Sequence, residues 1–187
     1  MRLTHTCATA AAVAALALTG AAPAFAAASP TPSAAAGSDA AFLKAIHQAN
    51  LAEIAAGKDA RAHAYGSCVK QVGDVLVRDH TALDAKGATL AKSKNITLPK
   101  DSSADQQKSL SALKPKNGTK AYDTAWLQVQ STGHQQALKL IDEELKSGKD
   151  AQIKAAAKDA RPVVAAHLKM VEGGVCHYTT PSASPSR

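Results

Sequence analysis

Apolar residues recur three and four positions apart over four long stretches, the period of an amphipathic helix. The first runs from about Asp39 to Ala64, with Phe42, Ile46, Ala49, Ala56 and Ala60 on one stripe. The second covers about Cys68 to Lys94 and aligns Val69, Val72, Leu76, Leu83 and Leu90. In the third, about Lys120 to Ser147, Leu127, Leu138, Ile141 and Leu145 share a face that Tyr122, Trp126 and Val129 widen. The fourth, about Ala151 to Gly173, turns Ile153, Ala157, Ala160, Val163 and Met170 inward. Ser38 or Asp39, Ser67, Thr119 and Asp150 stand where N-caps are wanted, and Tyr65-Gly66-Ser67 and Gly148 break the pattern. Pro162 lacks an amide hydrogen, so a kink is expected in the fourth helix. Runs of β-branched residues, the mark of strands, are missing.

The connections choose the topology. At ~1.5 Å per residue each helix is roughly 35–42 Å long. Matched lengths predict a four-helix bundle. Two short links make two antiparallel hairpins. The link Asn95–Thr119 is different: it has 25 residues, with Leu98-Pro99, a short helix near Ser103–Leu113, and Pro115-Lys116-Asn117-Gly118. Its extended reach of ~80 Å exceeds the ~40 Å length of the bundle. It can therefore travel from one end to the other and leave the second and third long helices parallel, as in ferritin-like bundles. Cys68 opens the second helix and Cys176 follows the fourth. A disulfide requires Cα atoms within ~7 Å, so these two can pair in the crossover topology and not in a simple up-down-up-down bundle. Such a bridge would be worth about 4 kcal/mol in the chain-entropy account.

Composition adds a compartment. Met1–Ala26 has Arg2, an Ala/Val/Leu run and a terminal Ala24-Phe25-Ala26, which together read as a secretory signal peptide. The run is too short for a membrane helix, so a soluble exported product is expected. Cys7 would leave with the leader, and one disulfide fits an oxidising compartment. Residues 27–38 and 177–187, rich in Ala, Pro and Ser, read as a disordered leader and tail. Loss of the signal peptide removes Arg2 and no acid, so the formal charge falls from +7 to +6. The charge is mostly dispersed lysine. With few aromatic residues and only Arg61, Arg78, Arg161 and Arg187 as guanidinium groups, nucleic-acid binding is excluded as a reading. Attraction to anionic wall polymers remains open.

Four polar residues interrupt the stripes, one per helix: Glu53, His80, His134 and His167. Counted from the disulfide end they lie ~18, ~18, ~20 and ~13 Å down the bundle, within reach of one layer. Gly133, Ala52 and Ala56 leave space there. Three imidazoles and a carboxylate suit Zn(II), Cu(II) or Fe(II), with Asp79 and Asp84 available as acceptors behind them. The alternative is a metal-free core in which Glu53 hydrogen-bonds the histidines. A di-iron centre needs Glu-x-x-His, and Val77, Ser131 and Val164 stand where the glutamates would be. No nucleophile motif, phosphate loop or H-E-x-x-H is present, which argues against an enzyme. His47 and His63 fall off the stripe and are expected in solvent, as is the run Asp142-Glu143-Glu144.

Phe42-Leu43, Leu51-Ala52-Glu53, Val77-Arg78-Asp79-His80-Thr81, Ile96-Thr97-Leu98-Pro99, His134, Pro162 and His167-Leu168 resemble the bacterial exported family called domain of unknown function 4142. The resemblance spans about Asp39–Gly174. It implies a ferritin-like fold and a location in the envelope or outside the cell, and brings no activity or cofactor. The Cys68/Cys176 pair departs from the usual pattern of that family. The expectation is an all-α ferritin-like bundle over 39–176 that acts by binding. An interior transition metal (Zn, Cu or Fe) is its first expected ligand. The second expectation is a structural module that binds wall polymers or a protein partner.

Overall fold

The computed structural model describes residues 39–178. Five helices form: α1 (Asp39–His63), α2 (Ser67–Ser93), α3 (Ala104–Ser111), α4 (Lys120–Ser147) and α5 (Ala151–Val171), with 3-10 turns at Lys114–Lys116 and Glu172–Gly174. No strand occurs among the described residues. The signal peptide expected over 1–26, the leader over 27–38 and residues 179–187 of the tail lie outside them. Of that tail, His177 donates its backbone N–H to Met170 O at 2.8 Å, and Tyr178 packs on the neighbouring apolar cluster.

The ends of the helices show which way each one runs. Where α1 finishes, His63 O accepts from Gly118 N at 2.8 Å, just ahead of α4. At the same end the Asp123 carboxylate accepts from the backbone N–H groups of Tyr65 and Gly66, at 2.8 and 2.7 Å. Cys68 and Cys176 are joined there, with Cα atoms 6.3 Å apart. At the opposite end Asp39, which opens α1, accepts from Lys149 N and Asp150 N in the α4–α5 turn. Lys94, just past α2, donates to Asp150 Oδ2 at 2.5 Å. So α2 and α4 both run away from the disulfide, and residues 94–119 cross the length of the bundle.

Local chemistry explains most boundaries. Thr119 caps α4 through Tyr122 N, and Asp150 caps α5 through Gln152 N and Ile153 N. Ser103 and Gln106 form a capping box on α3. The N-cap of α2 is Gly66 rather than Ser67, and no side chain caps it from within. The carboxylate of Asp123 reaches across from α4 to hold the preceding turn, which frees Ser67 to be helical. The helix α5 continues through Pro162, which lies on an exposed face.

The core is two apolar clusters. The one at the disulfide end contains Val72, Leu76, Tyr122, Trp126 and Val171, and the one at the far end contains Phe42, Leu43, Ile141, Ile153 and Val164. Each buried aliphatic side chain of this size contributes roughly 1.5–3 kcal/mol. The inward face of α5 differs from expectation. Val164, not Val163, is buried, and Met170 is half-buried, because His167 and Val171 continue the Val164 row. Two solvent expectations are also corrected. His47 is held between Asp84 Oδ1 at 2.6 Å and Pro99 O at 3.0 Å, so it fastens the crossover to α1 and α2. Glu144 is buried, three residues beyond Ile141 on the same face. Burial, then its hydrogen bond and charge contact with Asp39, push its carboxyl up to about 7. Asp142 and Glu143 are exposed as expected, and His63, partly exposed, pairs with Asp59.

Helices α1 and α2 pack backbone to backbone at Gly57 and Gly73. A Cβ on Gly57 would lie 2.6 Å from Gly73 O. Gly57→Ala should therefore lower stability by about 1–3 kcal/mol through forced separation of the helices, despite a gain of roughly 1 kcal/mol in helix propensity. Urea unfolding measures it; an unchanged or raised midpoint would refute the close packing.

Candidate metal centre

Between the two apolar clusters lies a polar layer. Each long helix carries its polar residues between one apolar cluster and the other: Asn50 on α1, His80 on α2, Gln130, Ser131 and His134 on α4, His167 on α5. The three rings are almost fully buried, at 3, 1 and 1 % exposure for His80, His134 and His167. Their centroids form a near-equilateral triangle with sides of 5.5, 5.0 and 5.5 Å. One nitrogen of each ring lies within 4.8 Å of one nitrogen of each of the others.

The partners on the outside of the triangle set the tautomers. His80 donates from Nδ1 to Asn50 Oδ1 at 3.0 Å. His134 donates from Nδ1 to the backbone carbonyl of Gln130 at 2.8 Å, one turn back on its own helix. His167 donates from Nε2 to Asp79 Oδ2 at 3.0 Å. Asp79 is in turn held by Arg78 through Nε at 2.7 Å and Nη2 at 3.0 Å. With those protons placed, the remaining nitrogens are bare lone pairs: Nε2 of His80, Nε2 of His134 and Nδ1 of His167. Two of them, on His80 and His167, face each other at 3.2 Å. The third, His134 Nε2, is buried with no hydrogen-bond partner among the described residues. A buried acceptor left alone costs about 1–3 kcal/mol, and two facing lone pairs repel unless a proton or cation lies between them.

Burial, then the neighbouring His134 and His167, push His80 down to about 2, so it stays neutral across the ordinary pH range. His167 is also lowered, chiefly by burial, with its bond to Asp79 opposing. Arg78, above all, holds Asp79 below the usual carboxylate range. Neutral imidazoles with an acceptor behind each ring are what metal ligation requires.

Three of the four residues singled out by the sequence converge. Glu53 stands apart from the triangle. Its carboxylate lies 3.9 Å from His134 Nδ1, the nitrogen already committed to Gln130 O. Gln130, with its amide nitrogen turned toward Glu53, donates to both carboxylate oxygens. Gly133 leaves the room for it, since a Cβ there would come 3.2 Å from Glu53 Oε1. Burial raises the carboxyl of Glu53 above its ordinary value. Of the two acceptors expected behind the rings, Asp79 serves and Asp84 does not, being spent on His47. Asn50 and the Gln130 carbonyl are additions. Asn50 was visible in principle, because it follows Phe42 and Ile46 by fours on the buried stripe.

The fold and the site together define an all-helical bundle with a buried three-histidine cluster. A family model, domain of unknown function DUF4142, matches residues 22–173, and the chain belongs to that family. No curated protein and no solved structure matches it.

The histidine environment yields a pH prediction. His80 is lowered in the folded chain and ordinary when unfolded. Its contribution is therefore complete above the unfolded value, near 6.5, and is lost as acid protonates the unfolded chain. The stability gap between the wild-type chain and His80→Gln should shrink by about 2 kcal/mol from pH 7 to pH 5. Urea titrations of both proteins at the two pH values measure it, and a constant gap would show that His80 is not buried neutral.

Proposed function

We propose that this protein binds one transition-metal ion in its core, through Nε2 of His80, Nε2 of His134 and Nδ1 of His167. The observation that carries the reading is the division of labour on the three rings. Each spends one nitrogen on an outer acceptor and keeps the other bare and buried. The facing nitrogens of His80 and His167, 3.2 Å apart, are near the spacing of two ligands on one ion, roughly 3.3–3.6 Å across tetrahedral and trigonal geometries for bonds of ~2.0–2.1 Å. An ion there would remove the lone-pair repulsion and give His134 Nε2 its partner. Zn, Cu and Fe are the candidates by donor type. Glu53 acts behind His134, as a positioning residue.

The reading includes export. It is supported by the leader at 1–26, by the Cys68–Cys176 disulfide, and by the finding that no helix among the described residues is long and apolar enough to cross a membrane. It is a reading of binding rather than catalysis, because the rings close over the site and the residues offer no nucleophile.

Protein purified without a histidine tag and exposed separately to Zn, Cu and Fe should carry about one ion per chain of at least one of them by elemental analysis. His134→Gln should abolish binding, and His47→Gln, on the crossover clasp, should not. Less than about 0.1 ion per chain with every metal would reject the reading.

A further inference from the structure

The charge and accessibility of the cluster bear on which ion it holds. This inference rests on the metal reading above. An imidazole that ligates through a bare nitrogen is a neutral donor, so three such rings would bring no charge of their own. The carboxylate hydrogen-bonded to the cluster, Asp79, is already matched by the Arg78 guanidinium through two contacts, so the pair brings no net charge to the site. Glu53 lies behind His134, engaged by Gln130, and offers no oxygen to the bare nitrogens. An ion in the triangle would meet only the Glu53 carboxylate, behind His134, as an unmatched negative group, and the rest of its charge would stay uncompensated in a dry interior. The cost of that rises with the square of the charge, so a dication costs about four times what a monocation does.

Coordination number points the same way. Zn(II) takes four ligands or more, the fourth in open sites being water. Rings that are 3, 1 and 1 % exposed turn their bare nitrogens into protein rather than toward bulk water. Cu(I) is satisfied by three. A separate observation concerns the surface beside the site. A cleft between α2 and α5, on which the C-terminal segment closes, is lined by His167 and Asp79 and also by Met170 and His177. Met170 is one turn beyond His167. A thioether is a soft donor, of the kind that favours Cu(I) over divalent ions. The rest of the lining is Val75, Pro162, Val163 and Ala166, with Tyr178 and the Arg78 guanidinium, whose charge is matched by Asp79.

We propose that the cluster is a Cu(I) site, three-coordinate through His80, His134 and His167, loaded through the cleft that Met170 and His177 line. No change of oxidation state is part of the proposal; the ion binds and leaves as Cu(I).

The test uses the wild-type chain, disulfide intact, under anaerobic ascorbate, which keeps copper reduced without reducing the disulfide. Cu(I) is titrated against bicinchoninate, and Zn(II) is then offered in competition. The expected result is one Cu(I) per chain that about a 100-fold excess of Zn(II) does not displace. Met170→Leu should retain that stoichiometry and load severalfold more slowly in stopped flow. An unchanged loading rate would overturn the cleft as the route. If Zn(II) fills the site at one per chain and Cu(I) cannot displace it, the charge argument is overturned while the three-histidine metal site stands. If neither Cu(I), Zn(II) nor Fe(II) binds, both readings fall.

Discussion

An imidazole in an apolar core has two nitrogens, and both need something to meet. In this bundle three such rings sit between two apolar clusters, and helix-borne acceptors answer one nitrogen on each. Asn50 comes from the neighbouring helix α1, the Gln130 carbonyl from the preceding turn of the same helix, and Asp79 from α2. These acceptors fix the ring orientations before any ligand arrives. The other three nitrogens are left facing into protein, two of them toward each other. Much of the local sequence follows from that demand. Small residues, including Gly133, stand where polar side chains require room, and Arg78 is placed to neutralise Asp79, one of the two carboxylates pressed against the layer.

Bringing the rings to one level requires that four helices keep register over their full length. A slip of one turn, ~5.4 Å, would separate the histidines. Long-range ties at both ends resist it. Asp123 and the disulfide hold one end; Asp39, Lys94 and Asp150 hold the other. The close approach of α1 and α2 at Gly57 and Gly73 adds a tie about a quarter of the way down from the disulfide end. His47 clasps the crossover to the pair it passes. The site is thus the result of end-to-end fastening as much as of the residues that compose it.

The four long helices were legible because each carries a sustained period with a stop residue after it. The crossover was legible because 25 residues are far more than a hairpin needs, and the two cysteines tested that reading independently. The three histidines were legible as polar breaks in apolar stripes. What was not legible depended on angles of rotation and on contacts far apart in sequence. Ile153, Ala157 and Ala160 face inward as the period gives, but beyond them the buried row of α5 lies one residue round, which moved Val163 and Met170 to the edge. Glu144 reads as part of a charged run although it follows Ile141 on the buried face, and its contact with Asp39 from another helix is visible only in the fold. Glu53 sits at the right height on α1, but depth alone does not say on which side of His134 its carboxylate will lie. Asp84 and His47 read as separate polar residues until the fold places them 2.6 Å apart.

The crossover divides the chain into two hairpins that own the polar layer unequally. The first hairpin holds Asn50, Asp79 and His80, and the second holds His134 and His167. The sulfur bridge runs from one hairpin to the other. A protease that nicked the connector would therefore leave a two-fragment molecule still covalently whole, with its imidazoles contributed from both pieces.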